Sequence, residues 1–157
     1  MSGGWITVAR RYLVRALVAA AVVLGAAGCG NSALSAADLR QQAGLICSRA
    51  DRQIGKIASP ASEAAGNSFL KQGMAALEPE LADLKTLKPP ADEVEVYQSG
   101  LKALSGELDA LKSAVSKLDQ GADPVRAFRE LQGTLAPLET DADNAWRALV
   151  IPACLSR

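Results

Sequence analysis

Cys29, Cys47 and Cys154 are the side chains in this 157-residue chain best suited to covalent chemistry. A thiol can be acylated or oxidised to a disulfide, and as a thiolate it can bind metal or act as a nucleophile. The last two uses need partners that the sequence does not supply. There is no histidine, which removes the usual neutral-pH acid/base group and the commonest metal ligand. Ser–His and Cys–His nucleophile systems are excluded with it, as are histidine-ligated haem and the Glu-x-x-His pattern of di-iron bundles. No glycine-rich phosphate loop follows a strand, because no strand pattern is present. A hydrolase using carboxylates alone needs two acids facing inward, and the inward positions described below are apolar. No catalytic residue, metal ligand or cofactor is expected, and the chain reads as a non-enzyme.

Carboxylates do cluster: Glu78, Glu80 and Asp83; Asp92, Glu93 and Glu95; Glu139, Asp141 and Asp143. Such clusters could hold a divalent cation. Asp141-Ala142-Asp143-Asn144 contains part of a calcium-loop pattern but lacks its glycine and terminal glutamate. The clusters read instead as solvated helix faces and as charges favoured by helix N-termini. Glu107 with Lys112 reads as an ordinary surface pair. The chain has 17 basic and 17 acidic residues and a formal net charge of zero, which argues against a nucleic-acid partner. Aromatic residues make up only 4% of the sequence, so each one is informative. Tyr97 and Trp146 could line a ligand cavity, but they read first as core, together with Phe69 and Phe128.

The charge is divided unevenly. The first 28 residues hold Arg10, Arg11 and Arg15 and no acid, whereas the remainder holds 14 basic and 17 acidic residues. Residues 16–27 form an uncharged apolar run, ALVAAAVVLGAA. As a helix it would span about 18 Å, short of a ~30 Å bilayer core. A basic start, an apolar stretch and then the small residues Ala26, Ala27 and Gly28 follow the order of a secretory signal peptide.

The stretch Leu24-Gly25-Ala26-Ala27-Gly28-Cys29 resembles a bacterial lipobox. The resemblance implies that residues 1–28 are a lipoprotein signal peptide. Cys29 would then be the lipidated first residue of the mature chain, carrying a diacylglycerol thioether, and residues 29–35 a short polar spacer. Two or three acyl chains (palmitate, for example) anchor stably, at about 0.8 kcal/mol per buried CH₂. The implied location is the outer face of the cell membrane, with the membrane met through the lipid. The alternatives are an uncleaved transmembrane anchor and secretion with a free Cys29 thiol. Arg10-Arg11-Tyr12-Leu13-Val14 also looks like a twin-arginine export motif, beside the general secretory route.

Beyond the leader, helical periodicity dominates and no alternating pattern competes. Helices are predicted at about 36–58, 62–87, 91–120 and 124–150. Ser35 with Asp38 gives the first a capping start, and Ser59-Pro60 stops it. The second carries Leu70, Met74, Leu77, Leu81 and Leu84, with Pro79 expected to kink it. The third carries Tyr97, Leu101, Leu104, Leu108, Leu111 and Val115, with Gly121 as its C-terminal stop. Asp123 and Pro124 open the fourth, where Pro137 is expected to bend the helix and Thr140 could restart it. Four amphipathic helices joined by short loops predict an all-α, up-down-up-down four-helix bundle over residues 36–157, without β-sheet. Glycines at 44, 55, 73, 100, 106 and 133 fall inside these helices, at about 1 kcal/mol each relative to Ala. A further staple is therefore expected.

In an exported chain, Cys47 and Cys154 are the expected disulfide pair, with two buried thiols as the alternative. The closed loop would be worth about 4–5 kcal/mol in the chain-entropy account. Geometry sets a condition. In an ideal bundle the fourth helix ends beside the start of the first, yet Cys47 lies about 16 Å further along. A disulfide needs Cα atoms about 5.5–6 Å apart. Either the helices are offset or the tail after Pro152 folds back. Taken together, the alanine-rich composition, Cys29 and the Cys47/Cys154 arrangement look like the small helical lipoproteins of actinobacteria, a similarity that implies no activity. The expected function is a non-catalytic interaction or binding module at the cell envelope, meeting an envelope protein or wall component. The alternative is a carrier of a small apolar ligand within the bundle, which a dry, fully packed interior would eliminate.

Overall fold

The computed structural model describes residues 32–62 and 65–155. The leader and Cys29 lie outside the described residues. The architecture is all-α: α1 (Ala36–Ile54), α2 (Gly66–Thr86), α3 (Val94–Asp119) and α4 (Pro124–Ala148), then a 3₁₀ turn at Pro152–Cys154. No strand occurs among the described residues.

The helix ends follow from local chemistry. Ser35 caps α1, its hydroxyl accepting from the Asp38 N–H at 3.1 Å and donating to the Asp38 carboxylate at 2.6 Å. Asp123 caps α4 by accepting from the Arg126 N–H at 2.8 Å, with Pro124 at the first turn. α1 stops at Ile54 rather than near 58, because Gly55 takes the C-cap and the following residues close three-residue turns instead. α2 starts at Gly66 rather than 62. α3 starts at Val94 rather than 91, since Pro90 first makes a turn in which its carbonyl accepts from the Glu93 N–H. α4 ends at Ala148 rather than 150. α2 runs unbroken through Pro79 and α4 through Pro137, with no restart at Thr140. The Thr140 hydroxyl donates back to the Ala136 carbonyl at 2.9 Å, one turn earlier, as in a continuous helix.

Contacts between helices show the up-down-up-down order. The Leu34 N–H before α1 donates to the Lys88 carbonyl after α2. The Tyr97 hydroxyl near the start of α3 donates to the Leu84 carbonyl near the end of α2. Lys71 early in α2 pairs with Asp119 at the end of α3, and Lys117 late in α3 pairs with Glu130 early in α4. Consecutive helices thus pack antiparallel, as short connections require.

The core is divided. One cluster surrounds the start of α1 and the end of α4 and includes Leu39, Cys47, Leu84, Tyr97, Trp146 and Ile151. The other lies toward the far end and contains Leu70, Leu111, Ala114, Val115 and Leu131. The bundle is also not closed helix to helix. α1 packs on α2 and on the 3₁₀ turn, and that turn packs on α4, while α1 and α4 hardly touch directly.

Candidate functional site

The structure joins Cys47 and Cys154 in a disulfide with a Cα–Cα distance of 5.1 Å. Of the two ways to bring them together, the chain uses the folded-back tail. At the end of α4 the Val150 N–H donates to the Arg147 carbonyl and the Ile151 N–H to the Trp146 carbonyl. This is the two-bond Schellman reversal, with Val150 at φ 58°. The tail then climbs along α1, burying Ile151 and Cys154. Arg40 of α1 fastens the same corner. Its Nε donates to the Leu149 carbonyl at 2.8 Å, and its guanidinium pairs with Glu93 at 2.7 Å.

Beyond the disulfide the seam between α1 and α4 stays open, forming a cleft of about 600 Å³. All four helices border it. Ile54 and Ile57, Phe69 and Leu77, Leu104 and Leu111, and Leu135 and Trp146 supply the apolar lining, and Cys154 adjoins it from the tail. Ser59, Glu107, Glu139 and Asp143 are the polar lining groups. The cleft bridges the two core clusters, because Leu104 and Trp146 belong to one and Leu111 to the other. Gly73 is the telling wall residue. A Cβ added there would find nothing within 4 Å. Gly73 is partly exposed, so the open space beside it is the cleft as it meets solvent, and a larger side chain there would project into the cleft. An apolar recess of this size with a few polar groups has the character of a small-molecule site.

Two other depressions have a different character. One lies at the far end, by Pro60, Val125 and Phe128. The other is a groove on the outer side of α3 and α4, beside Ala103, Gly106 and Leu138. Neither is bordered by all four helices.

The residues singled out from sequence divide among these settings. Tyr97 is fully buried core. Its hydroxyl donates to the Leu84 carbonyl at 2.8 Å, and its ring meets Trp146 edge-on, with centroids 5.8 Å apart. Burial pushes the Tyr97 hydroxyl pKa well above the usual tyrosine range. Trp146 is core and cleft border together. Phe69 and Phe128 are only half-buried rather than central, and Phe69 faces the cleft.

Several of the clustered acidic side chains are paired. Glu78 meets Lys112, Asp83 meets Arg49 and Asp143 meets Arg147. Lys112 thus takes Glu78 rather than the expected Glu107. Hydrogen bonds from Lys71 and Asn67 lower the pKa of Asp119, and one from Lys117 does the same for Glu130. Among the described residues no group of three or more potential metal ligands comes together. Glu80 departs from the solvated-face reading, being only 3% exposed. The spacing carried that signal, since Ala76, Glu80 and Leu84 lie at successive i, i+4 positions and all three are buried.

No protein-family profile matches the chain, and no curated protein or solved structure shows significant similarity to it. No helix among the described residues is long and apolar enough to cross a membrane.

Proposed function

We propose that this chain is a non-catalytic binding module, exported and held at the outer face of the cell membrane by lipid on Cys29, that takes a small apolar ligand into the cleft beside Gly73. The observation that carries the ligand is the unfilled, mostly apolar recess among four helices. The lipobox-like stretch ending at Cys29 supports the tether. Docking of an envelope protein has weaker support. The large exposed apolar residues Leu45, Val94, Val125 and Val150 lie on α1, α3, α4 and the connection after α4, and singly scattered apolar side chains are ordinary on any surface.

Gly73→Leu tests the ligand reading. The leucine fills the recess and removes a helix-interior glycine, so it is expected to raise the melting temperature while abolishing saturable binding of N-phenyl-1-naphthylamine, an uncharged apolar fluorophore. Absent binding by the parent chain, or binding untouched by Gly73→Leu, overturns the reading. Intact mass of the cellular protein, with and without a lipoprotein signal-peptidase inhibitor, tests the tether. An unlipidated, unchanged mass in both conditions refutes it.

A further inference from the structure

The 3₁₀ turn occupies the seam between α1 and α4 at the edge of the cleft. Directly packed helices lie about 8–10 Å axis to axis. Here the 3₁₀ turn packs on both helices, while α1 and α4 hardly touch directly. Ile151 and Cys154 are 1% and 4% exposed, and both belong to the same core cluster as Leu39 and Trp146. Ala153 lies over Gly44 of α1, where an added Cβ would stand 4.0 Å from its methyl. Cys154 is at once a lining residue of the cleft and the point at which the tail is bonded to α1.

We infer that Ile151 and Cys154 are positioning residues of the ligand cleft: the bonded tail is a wedge that keeps the α1–α4 seam open above it. This rests on the cleft being the binding site and adds how it is built. With the wedge loosened, α1 is free to settle toward α4, because apolar residues such as Ile54 and Ala142 stand on either side of the gap and gain by leaving water. The disulfide then has a role beyond stability, since it fixes a spacer rather than a direct helix-to-helix contact.

The test uses the chain as the cell makes it: removal of residues 1–28 leaves Trp146 at the cleft border as the sole tryptophan, and Trp5→Phe secures the same if the leader is retained. N-phenyl-1-naphthylamine is titrated in, and saturable energy transfer from Trp146 is read. Cys47→Ala with Cys154→Ala is expected to keep its helical circular dichroism and to weaken probe binding at least tenfold. In the disulfide-linked chain, Ile151→Ala is expected to weaken binding severalfold and Ile151→Leu to restore it, which keeps the test decisive should the double alanine variant fail to fold. Helical variants that bind the probe as tightly as the parent overturn the wedge while leaving the cleft reading intact. A parent chain that does not bind at all overturns the cleft reading itself.

Discussion

The indole of Trp146 lies against Gly100, so that a Cβ at that glycine would stand 2.9 Å from two of its ring carbons. Gly100 is therefore the contact that lets α3 and α4 approach closely enough to enclose the tryptophan, which is 1% exposed. The expected result of Gly100→Ala is a loss of about 1–3 kcal/mol from overpacking, despite a helix-propensity gain of about 1 kcal/mol. Urea unfolding measures it. A variant as stable as the parent, or more so, would mean that the indole moves aside without cost.

Tyr97 gives the fold a pH limit. Its buried hydroxyl resists ionisation, so its pKa is raised in the folded state. An acid whose folded pKa is raised contributes stability that is complete below its unfolded pKa near 10 and lost as pH climbs from there toward the folded value. The expected slope above pH 10 is about 1.4 kcal/mol per pH unit for this one group. Tyr97→Phe is expected to flatten that alkaline loss. At neutral pH it should cost only about 0.5–1 kcal/mol, because the Leu84 carbonyl also accepts from the Leu87 N–H. Melting curves of both chains at pH 8 and pH 11 check this. Equal alkaline losses in the two would place the titration elsewhere.

The four helices were legible because each carries an apolar stripe of period 3.6 and its caps are local. Ser35, Asp123, Pro124 and Gly121 declare their positions without reference to any other element. Features that depend on how elements meet were not legible. The spacing of Cys47 and Cys154 posed a choice between offset helices and a folded tail, and nothing short of packing decides it. Gly73 and Gly100 look alike in sequence, yet one borders empty space and the other an indole ring. The cleft was hidden for a related reason. It is lined by residues drawn from four helices and the tail, so no single stretch of sequence marks it.

The disulfide closes 107 residues of chain. Such a loop is worth about 4–5 kcal/mol in the entropic account. Cys47→Ser and Cys154→Ser are each expected to lower the melting temperature by on the order of 10 °C. The double variant should lose no more than either alone, since one bond cannot be broken twice. Additive losses in thermal unfolding would show that the two sulfurs stabilise the fold independently.

Two helices end in the same reversal with different residues at the critical place. At the end of α3, the Gly121 N–H donates to the Leu118 carbonyl and the Ala122 N–H to the Lys117 carbonyl, with Gly121 at φ 83°. Glycine adopts that conformation without steric penalty. At the end of α4 the left-handed position belongs to Val150, a β-branched residue for which it costs about 1–2 kcal/mol. Valine gains little from burial there, because it is 63% exposed. Val150→Gly therefore relieves strain and surrenders few contacts, against a chain-entropy penalty of about 0.5–1 kcal/mol. The expected net effect is a stabilisation of up to about 1 kcal/mol, with the disulfide and helix content unchanged, whereas Gly121→Val should destabilise by about 1–2 kcal/mol. Chemical denaturation of the pair reads both signs at once. Should Val150→Gly prove the less stable chain, the valine side chain must be making contacts at the α4 corner that outweigh its backbone strain.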